Sequence, residues 1–92
     1  MKKDIEEIRK EIDAVDKEIR DLFLKRMALA KEVAEYKINN NLAVEDSSRE
    51  EEIVFKNSSE LSDEMKKYYI ELLRKMISIS KDYQKEIMKL KW

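Results

Sequence analysis

An all-α fold is what this 92-residue sequence predicts, on three observations. Apolar residues recur at alternating gaps of three and four from Ile5 to Tyr36. No segment alternates apolar and polar with period two over a useful length, so no strand is expected. Gly and Pro are both absent. At average usage of about 7% and about 5%, a chain of this length lacks both about once in 10⁵ cases. Nothing strong therefore breaks a helix, and turns fall to Asn, Ser and Asp.

The spacing predicts three helices, at about 4–39, 47–57 and 63–90. In the first, Ile5, Ile8, Ile12, Val15, Ile19, Leu22, Leu29, Val33 and Tyr36 occupy a heptad seam. Asn39, Asn40 and Asn41 stop it, because Asn tolerates the left-handed conformation. At about 1.5 Å per residue this helix spans roughly 54 Å, too long for so small a chain to cover alone. Leu42 to Asp46 connects onward. Ser47 stands three residues before Glu50, and Ser48 three before Glu51, so a capping box opens the second helix. Ile53, Val54 and Phe55 are its apolar content, and Asn57 to Glu60 is a turn. Ser62, followed by Asp63 and Glu64, caps the third helix. Its stripe of Met65, Tyr69, Leu72, Leu73, Met76, Ile79, Tyr83, Ile87 and Leu90 reads as core.

Composition excludes several function classes. The chain makes one domain at most, 1–92. Its 20 Lys+Arg and 21 Asp+Glu nearly cancel, to a net charge of −1. A nucleic-acid or membrane-surface binder needs a one-signed patch. Without Cys there is no disulfide framework or thiolate chemistry. Without His the side chain best suited to proton transfer near neutrality is missing, and so is the commonest metal ligand. No signal peptide or apolar window of membrane-spanning length is visible, so a cytoplasmic address is expected.

The seam has one exception. The register demands an apolar residue at position 26 and finds Arg26, which lowers stability unless it has a partner. Lys37 lies 11 residues on, a net rotation of about 20°, so both point the same way about 16 Å apart. Arg9 holds the equivalent flank beside Ile8. Ser80 and Gln84 are polar residues four apart on the third helix, flanked by Leu73, Met76 and Ile87. Asp46, Arg49 and Glu50 sit at the opening of the second. Taken singly, these are solvated flanks, a register device, capping charges and interhelical hydrogen bonds. Jointly they are cations, a hydroxyl and an amide on inward faces, which suits an anionic ligand.

Four stretches carry a family resemblance in order: Ile8 to Asp13, Lys25 to Lys37, Val44 to Glu52, and Ser80 to Gln84. Together they resemble the all-α class of chorismate mutase over nearly the whole chain. The resemblance implies an isomerase of aromatic amino acid biosynthesis (the shikimate pathway) that rearranges chorismate to prephenate without cofactor or metal. By it, Arg26 and Arg9 bind the two carboxylates of chorismate. Lys37 and Gln84 hydrogen-bond the ether oxygen, Glu50 and the backbone at Asp46 hold the ring hydroxyl, and Arg49 and Ser80 complete the carboxylate contacts. A chain poor in metal ligands and nucleophiles suits that reaction, which needs a dianion held in a compact shape and donors aimed at the departing oxygen. Arginine's bidentate fork fits the first task.

Arg9 and Lys37 are 28 residues apart, about 42 Å along one helix, so they share a site only if Arg9 comes from another chain. Two copies of helix 1, antiparallel across a two-fold axis near residue 20, satisfy this. An intertwined homodimer with two composite sites is therefore expected, as in the family. Ala43 stands where the family commonly has Pro, so a looser connection is expected, and no appended catalytic or regulatory module is expected. The rivals are an isochorismate–pyruvate lyase of the same fold and a non-catalytic helical scaffold.

Overall fold

The structure, a computed structural model, describes residues 3–91. It consists of α1 (Ile5–Asn39), α2 (Ser47–Ser58) and α3 (Asp63–Lys91), with no strand among the described residues. The predicted boundaries differ by a residue at most.

Each helix starts on a side-chain acceptor. The Asp4 carboxylate accepts from the Glu7 N–H at 2.9 Å, and the Ser62 hydroxyl accepts from Met65 N–H at 3.3 Å. For α2 the expected capping box is not what forms. Asp46 is the cap, accepting from Arg49 N–H at 3.1 Å, while Ser47 and Ser48 are already helical. Asp caps at least as well as Ser, and being one residue earlier it takes the non-helical cap backbone first (φ −147°, ψ 82°). The C-terminus of α1 matches expectation in kind. Asn41 has φ 55°, with Leu42 N–H donating to the Lys37 carbonyl (2.8 Å) and Asn41 N–H to that of Ile38 (3.3 Å). This is the Schellman closure, with Asn in the place Gly usually fills.

Both α1 and α2 pack on α3. The small Ala30 and Ala34, buried on α1, let α3 approach closely, and Val54 is the buried apolar residue of α2. On α3 the buried face is Leu73, Ile77, Ser80, Gln84 and Ile87. This corrects the stripe drawn from sequence. Met65, Leu72 and Leu90 are exposed, Met76, Ile79, Tyr69 and Tyr83 are half-buried, and Ile77, not singled out, is central. Apolar residues cover more than half the circumference of α3, so periodicity alone could not say which arc meets α1.

The seam of α1 is uncovered. Ile5, Ile8, Ile12, Val15, Ile19, Leu22, Leu29, Val33 and Tyr36 are each 39–65% exposed. The molecule measures 58 × 27 × 14 Å, with a radius of gyration of 17.0 Å. A self-contained domain of this length has about 12 Å. Its accessible surface is 7840 Å², against about 5600 Å² for a folded monomer of this mass.

Candidate active site

The end of α1, the connection, the first turns of α2 and the middle of α3 enclose an open cleft of about 260 Å³. Its floor is apolar, built from Leu29, Ala30, Val33, Val44, Ile53 and Ile77. Its polar groups are Arg26 and Lys37 from α1, Asp46, Arg49 and Glu50 around the start of α2, and Ser80, Lys81 and Gln84 from α3. So the residues singled out from sequence converge here, with the exception of Arg9. That residue is exposed, pairs with Glu6 at 2.9 Å, and lies 17 residues before Arg26, about 26 Å along the helix.

Arg26 is half-buried on the cleft wall and has no ion pair or hydrogen bond among the described residues. An uncompensated cation beside apolar walls is unfavourable, so the cleft is biased towards an anion. The Lys37 ammonium donates to the Val44 carbonyl at 2.8 Å and to Gln84 Oε1 at 3.4 Å. The Gln84 amide donates from Nε2 to Ser80 Oγ at 3.2 Å. Ser80 and Gln84 are buried polar residues, and this chain of contacts gives the Ser80 Oγ and both the Gln84 Oε1 and Nε2 at least one partner. An ammonium has three N–H donors and a primary amide two. One proton on Lys37 and one on Gln84 therefore remain unassigned among the described residues, in a cleft that also holds Arg26.

The start of α2 supplies the opposite charge. The Asp46 carboxylate is committed to the cap, and its carbonyl accepts from Glu50 N–H at 3.0 Å. Arg49 is drawn back towards Glu52 on the same helix. Glu50 is half-buried, with Oε1 accepting from Lys81 at 3.2 Å. Lys81 also bonds both carboxylate oxygens of Glu45, at 3.1 and 3.0 Å. These two acids, Glu45 first, hold the Lys81 ammonium's pKa above its ordinary value.

Lys81 and Glu45 were not picked out from the sequence, nor was the apolar floor. One signal was available. Lys81 lies four residues after Ile77 and three before Gln84, so it interrupts the buried face of α3 with a charge, as Arg26 interrupts the seam of α1.

No helix among the described residues is long and apolar enough to cross a membrane. No curated protein and no solved structure matches the chain. The profile of one family does match, over residues 8–85, and its description is chorismate mutase type II. That span takes in α1 from Ile8, all of α2, α3 as far as Lys85, and every residue of the cleft. The chain belongs to the chorismate mutase type II family, and its function is that of a chorismate mutase, an isomerase.

Proposed function

We propose that the cleft binds chorismate and converts it to prephenate using Arg26, Lys37, Glu50 and Gln84, together with Arg9 of a second copy. The observation that carries this reading is the half-buried Arg26 guanidinium, unpaired among the described residues, beside protons of Lys37 and Gln84 that are uncommitted among the same residues. Arg26 takes one carboxylate of the dianion as a fork. The partner's Arg9 takes the other, with Arg49 turning in from Glu52 and Ser80 assisting. Glu50 and the backbone at Asp46 hold the ring hydroxyl.

The reaction is concerted. A carbon–oxygen bond breaks as a carbon–carbon bond forms within the same molecule, and no proton need move to or from the protein. Two effects accelerate it. Clamping both carboxylates holds the substrate folded, with its reacting carbons in contact. The spare N–H groups of Lys37 and Gln84 point charge at the ether oxygen as it becomes negative. The apolar floor keeps water from competing for that oxygen.

The dimer is part of the proposal. The accessible surface exceeds that of a folded monomer by about 2200 Å² per chain, the range of an obligate interface. The uncovered seam of α1 runs the whole length needed for an antiparallel, two-fold pairing.

Chain mixing tests both parts together. Arg9→Ala and Lys37→Ala are each expected to be nearly inactive. If each site takes Arg9 from one chain and Lys37 from the other, a mixed dimer carries one doubly damaged site and one intact site. Random re-association makes about half the dimers mixed, so co-refolding equal amounts restores about a quarter of the wild-type sites. No recovery, with subunit exchange independently confirmed, refutes the shared site. Prephenate as the product of chorismate, rather than pyruvate and salicylate from isochorismate, separates this activity from the related lyase.

A further inference from the structure

We infer that Lys81 is a positioning residue for this reaction. It acts through Glu50 by fastening α3, the α1–α2 connection and the first turn of α2 together at the mouth of the cleft. The inference rests on the chorismate reading of the cleft, specifically on Glu50 as acceptor for the ring hydroxyl.

The geometry points to holding rather than binding. Three contacts surround the Lys81 ammonium: Glu45 Oε1 at 3.1 Å, Glu45 Oε2 at 3.0 Å and Glu50 Oε1 at 3.2 Å. The two Glu45 oxygens belong to one carboxylate and share one of the ammonium's three N–H donors, so two donors are committed, one to Glu45 and one to Glu50. Arg26 is the opposite case, with no partner among the described residues. Glu45 belongs to the connection, Glu50 to α2 and Lys81 to α3, so one cation joins three segments, beside the Lys37 tie to Val44, the exposed Arg74–Glu51 pair and the packing of α2 on α3.

Burial separates this pair from the rest. In the Lys81–Glu50 pair both side chains are 23% exposed. The other pairs include at least one side chain that is more than half exposed, and such exposed pairs contribute little. A pair shielded on both sides is screened less by solvent and salt. Glu50 Oε2 has no partner among the described residues. Lys81 therefore fixes one oxygen of the carboxylate and leaves the other able to accept from a hydroxyl donor. It also offsets a negative charge that would otherwise oppose a dianion entering the cleft.

The effect should fall on binding. A hydroxyl away from the breaking bond is held alike in ground and transition states, and losing such a contact raises KM with little change in kcat. A merely structural role would lower the fraction of folded enzyme, and so kcat, with KM unchanged.

The experiment measures kcat and KM for chorismate on the full chain for Lys81→Met, Lys81→Arg, Glu50→Gln and the double variant Lys81→Met/Glu50→Gln. Helical circular dichroism checks folding, and Lys81→Gln replaces Lys81→Met throughout if the latter does not fold. We expect Lys81→Met to lose about tenfold in kcat/KM, chiefly through KM, since misorienting a contact by a fraction of an ångström has effects of this order. Lys81→Arg should recover most of the loss. The double variant should match Glu50→Gln alone, because a residue acting through Glu50 has nothing to act on once Glu50 is changed.

Additive losses in the double variant, a silent Lys81→Met, or a loss confined to kcat each overturn the inference. Should Glu50→Gln be silent while Lys81→Met is costly, Lys81 contacts substrate itself and the positioning role fails. Should both be silent while Arg26→Leu is inactive, the hydroxyl assignment of Glu50 fails along with this inference, and the carboxylate clamp stands.

Discussion

The two halves of α1 carry the same heptad pattern and meet different fates. From Leu29 onward the helix lies against α3, and its buried residues, Ala30 and Ala34, are here. From Ile5 to Leu24 no residue is buried, although Ile5, Ile8, Ile12, Val15, Ile19 and Leu22 make a cleaner apolar row than anything in the second half. The half with large apolar side chains has no partner among the described residues of its own chain, and the half that has a partner meets it with alanine. A seam of large residues is built for a second helix of the same kind. Small residues are built for close approach within the chain.

The largest expected effect comes from breaking the first half. Ile12→Asp combined with Ile19→Asp puts charge into the uncovered row. Each burial of such a side chain contributes about 1.5–3 kcal/mol, every substitution counts twice in a two-fold dimer, and the chain has little core of its own. Circular dichroism and sedimentation at micromolar concentration should find a dissociated chain with most of its helix lost. A folded, active variant would mean that the row has no structural partner.

Next is Arg26→Leu, at the junction of the halves. The fold should be kept or gain stability, because the register wants an apolar residue there. The lost carboxylate contact should cost roughly 2–5 kcal/mol in kcat/KM. Unchanged kinetics would return Arg26 to the status of a register device. Then Ala34→Leu probes the second half. Ala34 is 0% exposed, and forcing a larger side chain between α1 and α3 should destabilise by about 1–3 kcal/mol in thermal unfolding. A neutral result would indicate that the α1–α3 contact is loose.

Smaller still are two pH effects. Wild-type activity should vary little between about pH 6 and 8.5, where no His titrates. Gln84→Glu should favour acidic pH, because only a protonated carboxyl can donate to the ether oxygen. A flat profile in that variant would remove Gln84 from the reaction. The smallest effect belongs to the exposed Glu51–Arg74 pair, 3.1 Å apart. Arg74 holds the Glu51 carboxyl below its usual range, so whatever stability it adds is present above the ordinary carboxylate pKa and lost as pH falls through the lowered value. Arg74→Ala should therefore lower Tm slightly at pH 7 and not at all in strong acid.

The fold was largely legible in the sequence because its helices are long and bounded by residues with unambiguous local chemistry, such as Ser62 and the Asn39–Asn41 run. Local competition was less legible. Asp46 and Ser47 are both good caps, and only the backbone at Asp46 decides between them. The packed arc of α3 is not legible from periodicity, because apolar residues also populate its other arcs. Of the cleft, the polar residues on apolar stripes stood out individually. Lys81 did not, because its meaning lies in Glu45 and Glu50, 36 and 31 residues away. The looser connection expected from Ala43 is tied at Val44 by Lys37 and at Glu45 by Lys81.

The Lys37 tie to the Val44 carbonyl affects how rate losses are read. Removing the Lys37 side chain takes away the donor proposed for the ether oxygen and, with the same cut, an anchor of the segment leading to Asp46 and Glu50. The rate deficit of Lys37→Ala is then a composite of lost electrostatics and lost preorganisation, and a difference measurement does not partition them. Complementation between damaged chains does not share this ambiguity, because it counts intact sites and is indifferent to how badly each broken one fails.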